Sequence, residues 1–317
     1  MTTRGSRIDW LVFLALGFLW GSSYLFIKIG VDHGLQPFTL IMFRLGIGLV
    51  LLASVVAYFC EPLPRDPRMY GHLFVMGVVN IAIPFTLITF AEQVVDSSLA
   101  SVINSAVPLF VIVIAALFLR DEQITVNRLV GLVVGFVGVA ILVGLDITNL
   151  GSANTLGEIA LVGATISYAI GGVYSKAHVH GLRPMIPALF QVFFGFVVVS
   201  VLALLTEHPF AAVPVPEALF AVVWLGLLGS GLAYLSYFRI LQSWGATRAS
   251  MVAYLLPVVG IALGALVLQE PIAPSTFLGT ALVIGGIALV NSRYGTRRLF
   301  ADRGAEAGQV SPGAGRL

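Results

Sequence analysis

Gly34-Leu35-Gln36-Pro37-Phe38 returns as Gly181-Leu182-Arg183-Pro184-Met185, 147 residues further along the chain. Ahead of it, Tyr24-Leu25-Phe26-Ile27-Lys28 aligns with Gly172-Val173-Tyr174-Ser175-Lys176, so the only two lysines hold equivalent places. Behind it, Gln93, Ala100, Ser101 and Pro108 align with Gln242, Ala249, Ser250 and Pro257. Glu122, Gly131 and Gly138 likewise align with Glu270, Gly279 and Gly286. A period of about 148 residues in a chain of 317 describes a tandem duplication, with halves at 1–150 and 151–296 and a polar, Gly-rich tail at 297–317 that reads as disordered.

Each half is too apolar to be soluble. The chain is 58% hydrophobic and 10% charged, with a mean hydropathy of +1.00, whereas soluble domains carry about 25% charged residues. A window of about 19 residues finds apolar stretches at 9–30, 37–59, 71–91, 97–119, 126–145, 156–177, 184–205, 218–241, 247–268 and 274–292. Each is long enough to cross the ~30 Å hydrocarbon layer as a helix. The first follows Arg4 and Arg7 but outlasts a signal-peptide core and is repeated later, so it reads as a span. The expectation is an all-α membrane protein of ten transmembrane helices in the inner membrane. Segments such as Glu61-Pro62-Leu63-Pro64 and Glu207-His208-Pro209 interrupt the spans, and no loop is long enough for a soluble catalytic domain.

Cations set the orientation. Fifteen of the 17 lysines and arginines fall before the first span, in alternate loops (Arg65, Arg68; Arg120, Arg128; Lys176, Arg183; Arg239, Arg248), or after the last span. Both termini are therefore expected in the cytoplasm. Five spans per half is an odd number, so the second half must enter the bilayer from the opposite face. Inverted repeats of this kind build many secondary transporters, whose solute binds near the midplane between two halves that rock.

Other chemistries find little support. Cys60 is the single cysteine, which leaves no disulfide framework or cysteine metal cluster. Neither lysine belongs to a phosphate-cradling loop, and HExxH, GxSxG and GxGxxG strings are absent. No metal, cofactor or nucleic-acid partner is expected. A membrane-embedded lipid-modifying enzyme and a non-transporting membrane partner protein remain as rival readings. The enzyme would need paired carboxylates, a metal cluster or an activated nucleophile.

Several motifs carry a family resemblance: Trp20-Gly21-Ser22-Ser23, Pro37 with Phe43-Arg44, Ser97-Ser98-Leu99-Ala100-Ser101 leading to Pro108, Gly245-Ala246-Thr247-Arg248-Ala249-Ser250, Pro257, and Glu270-Pro271. Over roughly 9–292 the chain resembles EamA-type ten-helix proteins of the drug/metabolite transporter superfamily. The resemblance implies a five-plus-five bundle that exports or exchanges small metabolites, amino acids foremost.

Polar groups within spans are costly and face a cavity or another helix. Trp20, Tyr24, Asn80, Asn104, Tyr168, Tyr234 and Tyr254 are the candidate solute-binding residues, offering aromatic faces and neutral hydrogen-bonding groups. Ser22, Ser23, Ser105 and Ser230 read instead as helix-contact residues. Arg44 lies about 10 Å along its helix from Pro37, and snorkelling to the outer interface is its simpler reading. Its sharper reading is a charge partner for an anionic solute, Glu92 or Asp96. Lys28 and Lys176 read as helix C-terminal dipole partners.

Pro84, Pro108, Pro187 and Pro257 each remove a backbone donor, and the equivalent Pro108 and Pro257 suit symmetric gating kinks. Gly17/Gly21, Gly131/Gly135 and Gly260/Gly264 allow close helix approach, with the fifth and tenth spans as scaffold and as a face for a homodimer. Trp10, Trp224 and Trp244 read as interfacial anchors. No carboxylate falls in the middle of a span, so the expected driving force is the solute gradient, with Glu92 and Glu158 as fallback proton carriers.

Overall fold

A computed structural model describes residues 7–118, 126–143, 152–179, 181–211, 215–244 and 250–290, and among these it contains helices and turns but no strand. Among the described residues seven helices are long and apolar enough to cross a membrane. They are α1 (Arg7–Asp32), α2 (Pro37–Tyr58), α3 (Pro67–Ala91), α4 (Ser97–Phe118), α6 (Ala153–His178), α7 (Met185–Thr206) and α8, which begins at Pro216. Shorter apolar helices are α5 (Val126–Val143), α9 (Ser250–Tyr254 continuing as Leu255–Val267) and α10 (Pro274–Val290). Arg4, Arg120, Glu122, Arg248, the 245–249 segment and the tail at 297–317 lie outside the described residues.

The repeated Gly-Leu-x-Pro motif has a conformational cause. Gly34 and Gly181 both turn with positive φ, at 85° and 73°, a region open to glycine without steric cost. The chain then enters α2 and α7 through a proline. Pro37 opens α2, where its missing N–H costs nothing, but Gln36 supplies no side-chain cap. The free donors there are taken from across the molecule. Glu207, just after α7, accepts from the Phe38 and Thr39 amides at 3.0 and 2.7 Å and from the Thr39 hydroxyl at 2.7 Å.

Four of the rods are not continuous α-helix. In α3 a π-helical turn, Val78–Ala82, separates Pro67–Gly77 from Ile83–Ala91. In α8 a longer one, Trp224–Leu232, separates Pro216–Val223 from Ala233–Trp244. The two occupy equivalent positions of the repeat. In α4 a turn at Ser105 and Ala106 divides Ser97–Asn104 from Val107–Phe118, so Pro108 opens a new segment. In α9 the 3-10 turn Ser250–Tyr254 precedes Leu255–Val267, with Pro257 in its first turn. Pro187 departs from expectation: it stands in the first turn of α7, where a missing donor interrupts nothing.

Three of the equivalent pairs, α2 with α7, α4 with α9 and α5 with α10, pack side by side and antiparallel. In α5 and α10, a Cβ on Gly131 would press on the Gly286 carbonyl and Val290, and one on Gly138 on the Gly279 carbonyl and Val283. These glycines are consumed by contact within one chain, so their shared face is not open to a second copy. The starts and ends of α2 and α7 are tied in the same crossed sense. Glu207 holds the start of α2, and Arg183, ahead of α7, donates to both Glu61 oxygens at 3.0 Å beyond the end of α2. A third tie links Glu270 to the start of α4: it accepts from the Ser97 and Ser98 amides at 2.8 and 3.0 Å and from the Ser98 hydroxyl.

Candidate functional site

Helix α2 crosses the π-helical part of α8 closely enough that a Cβ on Gly226 would sit 3.0 Å from the Arg44 carbonyl. The crossing aims the Arg44 side chain inward. Arg44 is 4% exposed, so snorkelling is ruled out. Its Nε donates to Ser230 Oγ at 3.2 Å, and its Cζ lies 4.3 Å from the centre of the Phe85 ring. Gly229 leaves room beside it, since a Cβ there would come within 3.6 Å of Nη2 and 3.0 Å of Ser23 Oγ. Among the described residues the guanidinium makes that single hydrogen bond and no ion pair. A cation enclosed at this depth without a counter-ion is costly, and its remaining donors suit a planar carboxylate.

Around it stand aromatic hydroxyls. Tyr24, Tyr168 and Tyr234 all lie near enough to interact electrostatically with Arg44. Tyr24, 4% exposed, accepts a hydrogen bond at 2.5 Å from Asn104 Nδ2, at the break in α4. The Asn104 Oδ1 is buried and unpartnered. Trp20, half-buried, meets Tyr234 edge-on at 6.1 Å and Tyr237 at 5.3 Å. Trp20, Tyr24, Arg44, Asn104, Tyr168 and Tyr234 thus form one neighbourhood, fed by α1, α2, α4, α6 and α8. Asn80 stands elsewhere, its amide against Gly171 of α6. Tyr254 is half-buried against the larger apolar core at the 3-10 junction of α9.

The serines divide. Ser22, Ser23 and Ser105 each bond a carbonyl of their own helix, whereas Ser230 is the partner of Arg44. Trp224 is less an anchor than expected, for its indole donates to Ser22 Oγ at 3.1 Å and its ring lies tilted against Phe26 at 4.6 Å. It helps line a mainly apolar groove of about 520 Å³ with Phe18, Phe26, Phe220 and Leu263, and with His33 and Glu217 also in the lining. Lys28 is a dipole partner, but of another helix: its Nζ donates at 2.8 Å to the Glu92 carbonyl that ends α3. Phe85 and Gly229 were not singled out in the sequence. The repeat held the signal for Phe85, because it is the counterpart of Tyr234. No group of three or more His, Cys, Asp or Glu able to hold a metal occurs among the described residues.

Comparison with known proteins places the geometry in a family context. The model of the EamA-like transporter family matches twice, over residues 8–144 and 155–292. An uncharacterized transporter, YoaV, of Bacillus subtilis is 27% identical over 90% of this chain and 97% of its own. The Escherichia coli uncharacterized inner membrane transporter YedA is 29% identical over 87% and 88%. A probable amino-acid metabolite efflux pump of Escherichia coli is 25% identical over 89% and 94%. A crystal structure at 19% identity superposes with a TM-score of 0.65 over 90% of this chain and 99% of its own, a likeness of fold alone.

Proposed function

The chain belongs to the EamA-like transporter family, a multi-pass inner-membrane transporter and not an enzyme, and from that premise we propose that it moves small carboxylate-bearing metabolites, amino acids first, by alternating access. The observation that carries this reading is Arg44, an enclosed cation with uncommitted donors among Tyr24, Tyr168, Tyr234 and Trp20. Arg44 takes the carboxylate, while the aromatic faces and the Asn104 amide accept the rest of a small amphipathic solute. Asn80 and Tyr254 are further candidate contacts for the solute, apart from the Arg44 cluster.

The moving parts are two inverted halves of five spans each, at 1–150 and 151–296, with both termini in the cytoplasm. The antiparallel pairing of equivalent helices supports this arrangement, as does the crossed tie of Glu207 to α2 and of Arg183 to Glu61. The breaks at Pro108 and Pro257 are where α4 and α9 bend as the halves rock. Transport runs as efflux or exchange, in keeping with the relative named an amino-acid metabolite efflux pump. A homodimer would use the outer faces of α5 and α10, since their glycines are already paired.

Purified protein in liposomes loaded with radiolabelled amino acids tests the reading. Label should leave wild-type vesicles unchanged in chemistry, and Arg44→Gln should stop it. Flux that survives Arg44→Gln would remove the proposed site, and a chemically altered label would remove the carrier.

A further inference from the structure

Glu92 directly follows α3, and the fold encloses it completely: its exposure is 0%. Neither carboxyl oxygen has a hydrogen-bond partner, and Thr89 Oγ1, one turn back on the same face, is also buried and unpartnered. Among the described residues the other two enclosed glutamates are quite different. Glu207 and Glu270 each accept two backbone amides and a hydroxyl. Glu92 has the burial without the donors, an environment that tolerates a neutral acid and penalises an anion.

Charged and titratable groups face it from several directions. Tyr24, Lys28 and Asp32 belong to α1, Arg44 to α2, and Glu270 follows α9. Asp96, in the turn before α4, interacts with Lys28 and Glu270. Lys28 directs its ammonium at the Glu92 backbone carbonyl, 2.8 Å away, and stands 3.6 Å from Asp32. Burial pushes the Glu92 carboxyl well above the ordinary carboxylate range; Lys28 and Arg44 oppose that shift, and Glu270 and Asp32 add to it.

We propose that Glu92 is a proton-binding site of this carrier, neutral in the present conformation and linked through Arg44 to the anion site, so that a carboxylate solute and a proton cross together. The link is electrostatic and rests on the reading of Arg44 given above. While Arg44 is free, its positive charge favours ionised Glu92. A solute carboxylate on Arg44 cancels that charge, so anion binding raises the proton affinity of Glu92. By linkage the proton raises anion affinity by the same factor. Hydropathy alone puts Glu92 at a span end and favours flux without a carboxylate relay. Its enclosure, together with its electrostatic contact with Arg44, supplies the relay.

The first test needs no solute. Infrared difference spectra of the full chain in lipid nanodiscs, stepped through pH, should show a carboxylic-acid carbonyl band persisting above the usual carboxylate range. The band should vanish in Glu92→Gln, a mimic of the neutral acid that is expected to fold, and survive in Glu61→Gln. In Arg44→Gln its midpoint should move upward by up to about one pH unit. A spectrum without a Glu92-dependent band, or a midpoint indifferent to Arg44→Gln, overturns the proposal.

The second test uses liposomes holding pyranine and radiolabelled amino acids. Wild-type efflux should leave the interior more alkaline, while Glu92→Gln should keep label-for-label exchange and lose the pH change. Efflux without proton movement sinks the coupling. A wild-type protein that moves no label sinks the transporter reading and the coupling with it, and the infrared band still decides the proton site.

Discussion

Where α2 crosses α8, a Cβ on Gly48 would press on Ser230 and the Gly226 carbonyl; where α7 crosses α3, one on Gly195 would press on Ile81 and the Gly77 carbonyl. The two crossings are equivalent in the repeat, glycine for glycine. Their inward side chains are not. The first crossing carries Arg44, with Gly229 and Ser230 making space and a hydroxyl for it, and the second carries Gln191, with Asn80 and Ile81 in those places. Both are buried, at 4% and 7% exposure. Backbone contact tolerates only small residues in either copy, so duplication preserved it. On the proposed reading one cation suffices, and a second would add an uncompensated charge to the bilayer interior.

The most forceful way to break this comparison is to remove the charge. Arg44→Gln makes the two crossings alike and should weaken binding of a carboxylate ligand on the order of 100-fold, the usual scale for losing one partner of a buried charged pair. Adding Gln191→Arg to that variant should not restore affinity, because Ile81 offers no hydroxyl and Asn80 fills the space that Gly229 leaves open. Equilibrium binding of a radiolabelled amino acid measures both, and recovery in the double variant would mean that position on either half suffices. Next in size are the glycines. At Gly226 a Cβ would lie 2.6 Å from Ile47 Cβ, and at Gly77 2.6 Å from Phe194 Cβ. Gly226→Ala and Gly77→Ala should each cost about 1–3 kcal/mol by overpacking, read as lower melting temperatures. Only Gly226→Ala should also weaken ligand binding, since it displaces the turn that carries Arg44.

The sequence disclosed the part of this arrangement that repeats. Hydropathy located the seven long apolar helices because lipid admits few alternatives, and the recurring Gly34 and Gly181 marked turns that need positive φ. The aromatic residues that gather around Arg44 were legible as buried polar groups too, since bulky polar groups deep in a span need company. The direction of Arg44 was not. A side chain seven residues into a helix can reach the interface or the core, and the choice depended on Gly229 and Ser230, far away in the chain. The π-helical turns in α3 and α8 escaped for the same reason: they arise where helices press together, and Pro84 alone does not announce one. Glu92 was legible as a residue near a span end, but its enclosure depends on what α1 and the segment after α9 bring against it.

The crossed ties extend the comparison to the ends of α2 and α7. Glu207 is buried and takes three hydrogen bonds at the start of α2. Charge-assisted bonds of that kind contribute about 1.5–3 kcal/mol, so Glu207→Gln should lower the melting temperature clearly and by the same amount in low and high salt.

Glu61 occupies the matching place beyond α2, yet its partner Arg183 is 67% exposed on its side chain and makes both contacts through a single nitrogen. Solvent screens such a pair, and exposed ion pairs contribute about 0–1 kcal/mol. Glu61→Gln should therefore produce the smallest change of the series. It should also shrink further as ionic strength rises, because the Debye length falls to about 3 Å at 1 M salt. Melting curves of both glutamine variants at low and high salt separate the two ends. A salt-sensitive Glu207 variant, or a Glu61 variant as damaging as its counterpart, would show that the two ties hold the halves in the same way. A difference in the stated sense makes the start of α2, on the half that carries Arg44, the more firmly held of the two.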